Sequence, residues 1–179
     1  MNVARLGIQV ASAVAYAHSR KILHRDIKPS NLLIDEAGAI WVTDFGLAKS
    51  LESDRLTRTG EVVGTLRYLP PEQMLGDSDA RSDVHGIGLT LYEMLTLRPA
   101  NDQADHRKLI AQVTEGIHKP PRKIDPQIPL DLETIVLKCI EREPAKRYQS
   151  ADLLLADLQR QPKANLLTDI AWLAPFRCT

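Results

Sequence analysis

The sequence predicts a mainly α (α+β) domain, a helical bundle with one short β-hairpin that carries its most polar loops. Three observations lead there. Apolar residues recur at helical spacing in five stretches, two short apolar runs flank a Glu-Ala-Gly turn, and proline-rich connectors separate the later stretches. With 179 residues, the chain is long enough to bury one good core.

Val3, Leu6, Val10, Ala13, Val14 and Ala17 predict an opening amphipathic helix that ends near residues 18–20. Residues 21–23 read as a short strand, and residues 32–35 and 40–43 as the two strands of a hairpin. Residues 47–63 are polar and aperiodic, a long loop of the kind that carries function. Pro70-Pro71-Glu72-Gln73 opens a short helix, since proline is tolerated in a first turn. The next stripe, Val84, Ile87, Leu91, Met94 and Leu95, is apolar on most faces and predicts the central core helix. Three further helices follow from Leu109, Ile110, Val113 and Ile117, from Leu132, Ile135, Val136, Cys139 and Ile140, and from Leu153, Leu154 and Leu158. Periodicity fades at Pro162, so residues 1–161 form the expected domain and residues 162–179 a tail.

Composition excludes several classes. Lys and Arg number 23, Asp and Glu also 23, and a net charge of zero leaves no footprint for nucleic acid or an anionic membrane. Two cysteines make neither a disulfide framework nor a zinc site, and Cys139 falls on an apolar stripe as a buried thiol. No secretory leader or membrane span is expected, and the chain is placed in the cytoplasm.

The chemistry concentrates in His24-Arg25-Asp26-Ile27-Lys28-Pro29-Ser30-Asn31 and, past the hairpin, Asp44-Phe45-Gly46. Asn31 just precedes the first strand and Asp44 just follows the second, so the hairpin brings them together. Phosphoryl transfer asks a protein mainly for positioning and charge neutralisation. Asp26 can accept a hydroxyl proton, Lys28 can reach a phosphate, and Asn31 with Asp44 offers hard oxygens to magnesium. Singly, Asp44 before Phe-Gly is a turn former and Asp26 with Lys28 a surface ion pair. Only the joint pattern reverses that. Arg25, beside Asp26, is a ready partner for a phosphate on Thr57 or Thr59, ahead of Ser50 or Ser53, which would order the loop.

The stretch from His24 to Asn31 resembles the catalytic loop of eukaryotic-type serine/threonine protein kinases, with Ile27 where leucine is commoner. Asp44-Phe45-Gly46 resembles the family's magnesium-binding motif, and Pro70-Pro71-Glu72 the Ala-Pro-Glu motif that closes the activation segment. The resemblance implies a protein-kinase-like C-terminal lobe whose hairpin carries the catalytic and magnesium-binding loops. It implies ATP and Mg2+ as cofactors and protein Ser/Thr hydroxyls as substrates. Asp26, Lys28, Asn31 and Thr65 would be catalytic, and Lys28, Asn31, Leu33 and Asp44 would hold the nucleotide, Leu33 as the floor under the base. His24 would stack on Phe45, Glu72 would pair with Arg147, and Asp83 would accept backbone hydrogen bonds from the catalytic loop. His85 departs from the Trp or Tyr usual at its position.

The family's smaller lobe has no counterpart here: no Gly-x-Gly-x-x-Gly loop and no strand lysine occurs. The chain is therefore expected to be a truncated kinase domain, weak or inactive alone, with an apolar face where the smaller lobe would sit and where it could associate. The alternatives are a non-catalytic kinase-derived fragment that binds proteins, and a small-molecule phosphotransferase.

Overall fold

The computed structural model describes residues 3–45 and 64–161. Gly46, Ser50, Ser53, Thr57, Thr59, the tail at 162–179 and Cys178 lie outside the described residues. Helix α1 spans Val3–Ser19, followed by the hairpin strands β1 (Leu32–Ile34) and β2 (Ile40–Val42). Helices α2 (Ala80–Thr96), α3 (His106–Glu115), α4 (Leu130–Cys139) and α5 (Ala151–Gln159) complete the fold. Short 3₁₀ turns at Pro29–Asn31, Pro71–Leu75, Pro121–Lys123 and Pro144–Lys146 each begin with a proline, whose fixed φ suits a first turn. The mainly α domain with one hairpin is the architecture expected.

Helix α2 is the hub. It packs against α1, α4 and α5, and Val84, Ile87, Leu89, Leu91 and Met94 bury side chains around its circumference. Asp79 caps it: the carboxylate accepts from Arg81 N at 2.7 Å, and Ser82 Oγ accepts from Asp79 N at 3.3 Å. Gly88 permits its closest approach, because a Cβ there would stand 2.4 Å from Cys139 Cβ and 2.7 Å from Ile140 Cγ2. Leu6, Val10 and Val14 seat α1 against α5 and α2.

The hairpin is antiparallel, with Leu32 opposite Val42, Leu33 opposite Trp41 and Ile34 opposite Ile40. Leu32 and Ile34 point into the core, whereas Leu33 and Trp41 share the outer face, 37% and 63% exposed. Gln9 on α1 ties the hairpin down, donating to Gly38 O at 3.2 Å and accepting from Ile40 N at 2.9 Å.

Three expectations need correction. Residues 21–23 form no strand. Lys21 takes a left-handed conformation (φ 62°), and the bonds Lys21 N→His18 O (2.9 Å) and Ile22 N→Ala17 O (3.0 Å) close α1 in a Schellman motif. Ile117 is off the α3 stripe, because left-handed Gly116 ends the helix and leaves Ile117 exposed. Leu153 faces solvent, while Leu154 and Leu158 carry the burial of α5.

Candidate active site

Aspartate 83, on the first turn of α2, organises the loop in front of it. Buried, it accepts from His24 N (2.8 Å) and Arg25 N (2.7 Å), and its Oδ2 lies 2.7 Å from His18 Nε2. Arg25 adopts φ +69°, a conformation that costs a non-glycine residue about 1–2 kcal/mol and persists only where its surroundings hold it. Asp83 supplies that hold, presenting the next residue, Asp26, to solvent.

Lys28 Nζ sits 2.8 Å from Asp26 Oδ2 and donates to Thr65 Oγ1 at 2.9 Å. Asn31 Nδ2 donates to Asp26 O at 2.8 Å and to the same Oδ2 at 3.2 Å. Both contacts to the carboxylate fall on Oδ2, which leaves Oδ1 for another donor. Asp26, Lys28, Asn31 and Thr65, spread over 40 residues of sequence, thus form one continuous set of hydrogen bonds.

The hairpin places the second carboxylate. Thr43 N donates to Asn31 O at 2.9 Å, which sets Asn31 beside the Thr43-Asp44 end of β2. Asp44 is exposed and left-handed (φ 63°), and Thr43 Oγ1 approaches its Oδ2 at 3.4 Å. Asn31 uses its N–H groups on Asp26, so its Oδ1 meets only the distant Ser30 hydroxyl at 3.4 Å. An amide oxygen and a carboxylate with spare acceptor capacity fit a hard cation such as Mg2+. Among the described residues no group of three His, Cys, Asp or Glu could bind a metal, so such a cation would depend on Asn31, Asp44 and ligand oxygens.

His24 is fully buried and structural in its contacts. Its Nδ1 accepts from Asp26 N at 3.3 Å, its Nε2 must donate to the Thr43 carbonyl at 2.8 Å, and its ring lies 4.5 Å from that of Phe45. Both nitrogens are engaged, which leaves none to act as a base. Leu33 lies on the outer hairpin face.

Behind the site, Arg147 grips Glu72 through Nη1–Oε1 at 2.7 Å and Nη2–Oε2 at 2.9 Å. The guanidinium also donates to the carbonyls of Glu141, Arg142 and Arg81, and Ser82 Oγ donates to Glu72 at 2.8 Å. Burial alone would raise the Glu72 carboxyl, but the Arg147 and Ser82 bonds outweigh it and hold it below the ordinary carboxylate range. Tyr68 donates to Glu93 on α2, and burial with that carboxylate pushes its phenol upward. Two contributors escaped the sequence, His18 on Asp83 and Gln73, whose Nε2 donates to Arg25 O at 3.1 Å. Only the distance along the chain from the residues they hold, 65 and 48 positions, hid them. His85 is 2% exposed with neither ring nitrogen bonded, and burial lowers its proton affinity well below ordinary.

A family model described as the protein kinase domain matches residues 2–158. The chain belongs to the protein kinase family. It is 39% identical over 160 residues to a probable serine/threonine-protein kinase of Clostridium perfringens, covering 88% of this chain and 23% of that protein. It is 37% identical over 162 residues to the serine/threonine-protein kinase PrkC of Bacillus subtilis, covering 90% and 25%. To PknB of Mycobacterium tuberculosis, also a serine/threonine-protein kinase, it is 39% identical over 151 residues, covering 83% and 24%. The chain therefore spans about a quarter of the length of the curated relatives it matches. No described helix is long and apolar enough to cross a membrane.

Proposed function

We propose that this chain is the larger lobe of a serine/threonine protein kinase, which transfers the γ-phosphate of ATP to protein Ser or Thr hydroxyls. The observation that carries it is the Asp26–Lys28–Thr65–Asn31 network, with Asp44 beside Asn31. Asp26 would take the hydroxyl proton on Oδ1, the oxygen turned from Lys28 and Asn31. Lys28, steadied by Thr65, would meet the transferring phosphate, and Leu33 would lie under the base. Asn31 and Asp44 would hold the magnesium, which neutralises phosphate oxygens when bound. The substrates are proteins, and the cytoplasm, where ATP is kept, is the location that goes with this function.

The site opens to solvent above Leu33 and Trp41, so water screens the charges that an enclosed cleft would strengthen. The chain alone should turn over weakly or not at all. Phosphorylation of Thr57 or Thr59 would give Arg25 a phosphate partner, and the chain could associate through the face that the smaller lobe would cover. The test is phosphate transfer from labelled ATP to Ser, Thr and Tyr peptides by the full-length protein. Transfer to Ser or Thr that falls at least 100-fold in Asp26→Asn supports the assignment. Transfer indifferent to Asp26→Asn, or directed to Tyr alone, refutes it.

A further inference from the structure

The geometry points to Gln73 as a positioning residue for Asp26, a role that rests on the reading of Asp26 as the base. The peptide group joining Arg25 to Asp26 is the last piece of backbone before the Asp26 side chain. Arg25 is held in the left-handed region at φ +69°, which a non-glycine residue leaves unless contacts hold it, so the orientation of this peptide depends on its partners. Asp83 fixes the peptide before it by taking Arg25 N at 2.7 Å. The Arg25–Asp26 peptide itself is held from two sides: its N–H meets His24 Nδ1 at 3.3 Å, a long bond, and its carbonyl receives Gln73 Nε2 at 3.1 Å. Gln73 is therefore the firmer of the two holds on that plane.

Its own placement is over-determined. Gln73 N donates to Pro70 O at 3.0 Å, Gly76 N donates to Gln73 O at 3.2 Å, and the neighbouring Glu72 is clamped by Arg147. The Gln73 Oε1 atom is buried without a hydrogen-bond partner, so the Arg25 carbonyl is what its amide addresses. The turn Pro71–Leu75 thus reaches across 48 residues to set the rotation of a single peptide. Without the donor, that peptide can rotate about the left-handed Arg25. Asp26 then leaves the position from which Lys28 and Asn31 grip one of its oxygens. No other side chain among the described residues donates to that carbonyl.

Gln73→Met keeps the length of the side chain and removes the donor. Amide hydrogen exchange read by NMR on the chain should show the Asp26 amide exchanging roughly tenfold faster, with exchange within α2 and the melting temperature unchanged. Unchanged exchange at Asp26 overturns the proposal. So does acceleration spread evenly through α2, which would make Gln73 a general brace. In the full-length protein, kcat should fall about tenfold at constant peptide KM, and a raised KM at constant kcat also overturns it. Asp26→Asn in the same assay separates the two ideas. If it leaves transfer intact, the kinase assignment fails, whereas transfer lost in Asp26→Asn but undiminished in Gln73→Met sinks the positioning role alone.

Discussion

Replacing Arg147 by methionine removes every donor that the segment after Pro144–Lys146 presents to the turn at Pro71–Leu75. The Arg147 side chain is 0% exposed and that of Glu72 16%, so water cannot replace the lost bonds without opening the structure. Five hydrogen bonds are lost together: a bidentate pair at 2.7 and 2.9 Å, and bonds to the carbonyls of Glu141, Arg142 and Arg81 at 2.6 to 3.2 Å. Removing one partner of such a buried pair costs about 3–5 kcal/mol, chiefly because the remaining charge is stranded. For a chain of this size, each kcal/mol shifts the melting temperature by roughly 2–4 °C, so Arg147→Met should melt about 6–20 °C lower. Glu72→Gln strands the guanidinium instead and should also destabilise. Combining the two leaves no unpaired charge, and the double variant should be about 1–3 kcal/mol less destabilised than the sum of the singles. Urea unfolding of the four proteins measures this. Additive losses, or a cost for Arg147→Met under about 1 kcal/mol, would mean that the clamp behaves as a surface pair and refute the reasoning.

Alanine is the better helix former by about 1 kcal/mol, yet Gly88→Ala should destabilise by about 1–3 kcal/mol, because the new methyl meets Cys139 Cβ at 2.4 Å; thermal melting that rises or holds steady would contradict it. Stability should fall with acid in two stages. Buried His85 and His118 bind protons less readily folded than unfolded, so their contribution is complete above the ordinary histidine value of 6.5 and is lost as pH falls below it through their lowered folded values. Facing His85 are Arg147 and His118, whose charges add to burial in that sense. Glu72, also depressed, holds its contribution above about the ordinary 4.5 and gives it up below. Replacing His85 with phenylalanine should flatten the first stage in a pH series of urea midpoints, and an unaltered slope would count against it. Asp44→Asn should weaken magnesium-dependent nucleotide binding by roughly tenfold or more without moving the melting temperature, checked by calorimetry with and without the metal.

The helices and hairpin were readable because their signals are local: a stripe on α1, a nearly all-apolar α2, two short runs around a turn. Residues 21–23 misled because β-compatible side chains there finish a helix cap, and a left-handed lysine gives no sign that a glycine would give. Gly116 did give that sign, and the α3 stripe runs one residue past it. In the site, Asp26, Lys28 and Asn31 were legible as neighbours in one loop. The hold on that loop was less so: Asp83 came through family resemblance, while His18 and Gln73 act from 65 and 48 residues away on their partners. Such partners are chosen by the packing of α1, α2 and the turn before α2. No local pattern encodes that choice.

The pairing of α1 with α5 bears on how the protein is made. Helix α1 leaves the ribosome well before its principal neighbour, the last described helix, which follows about 140 residues later. At about 5–20 residues per second, Leu6, Val10 and Val14 would wait roughly 7–30 seconds before α5 could cover them. During that time the nascent chain presents an apolar stripe to its surroundings, and a chaperone or a neighbouring nascent chain can reach it. Production of the protein should therefore respond to translation speed and to chaperone supply, and a release before Leu158 should leave the stripe uncovered and the product prone to aggregate.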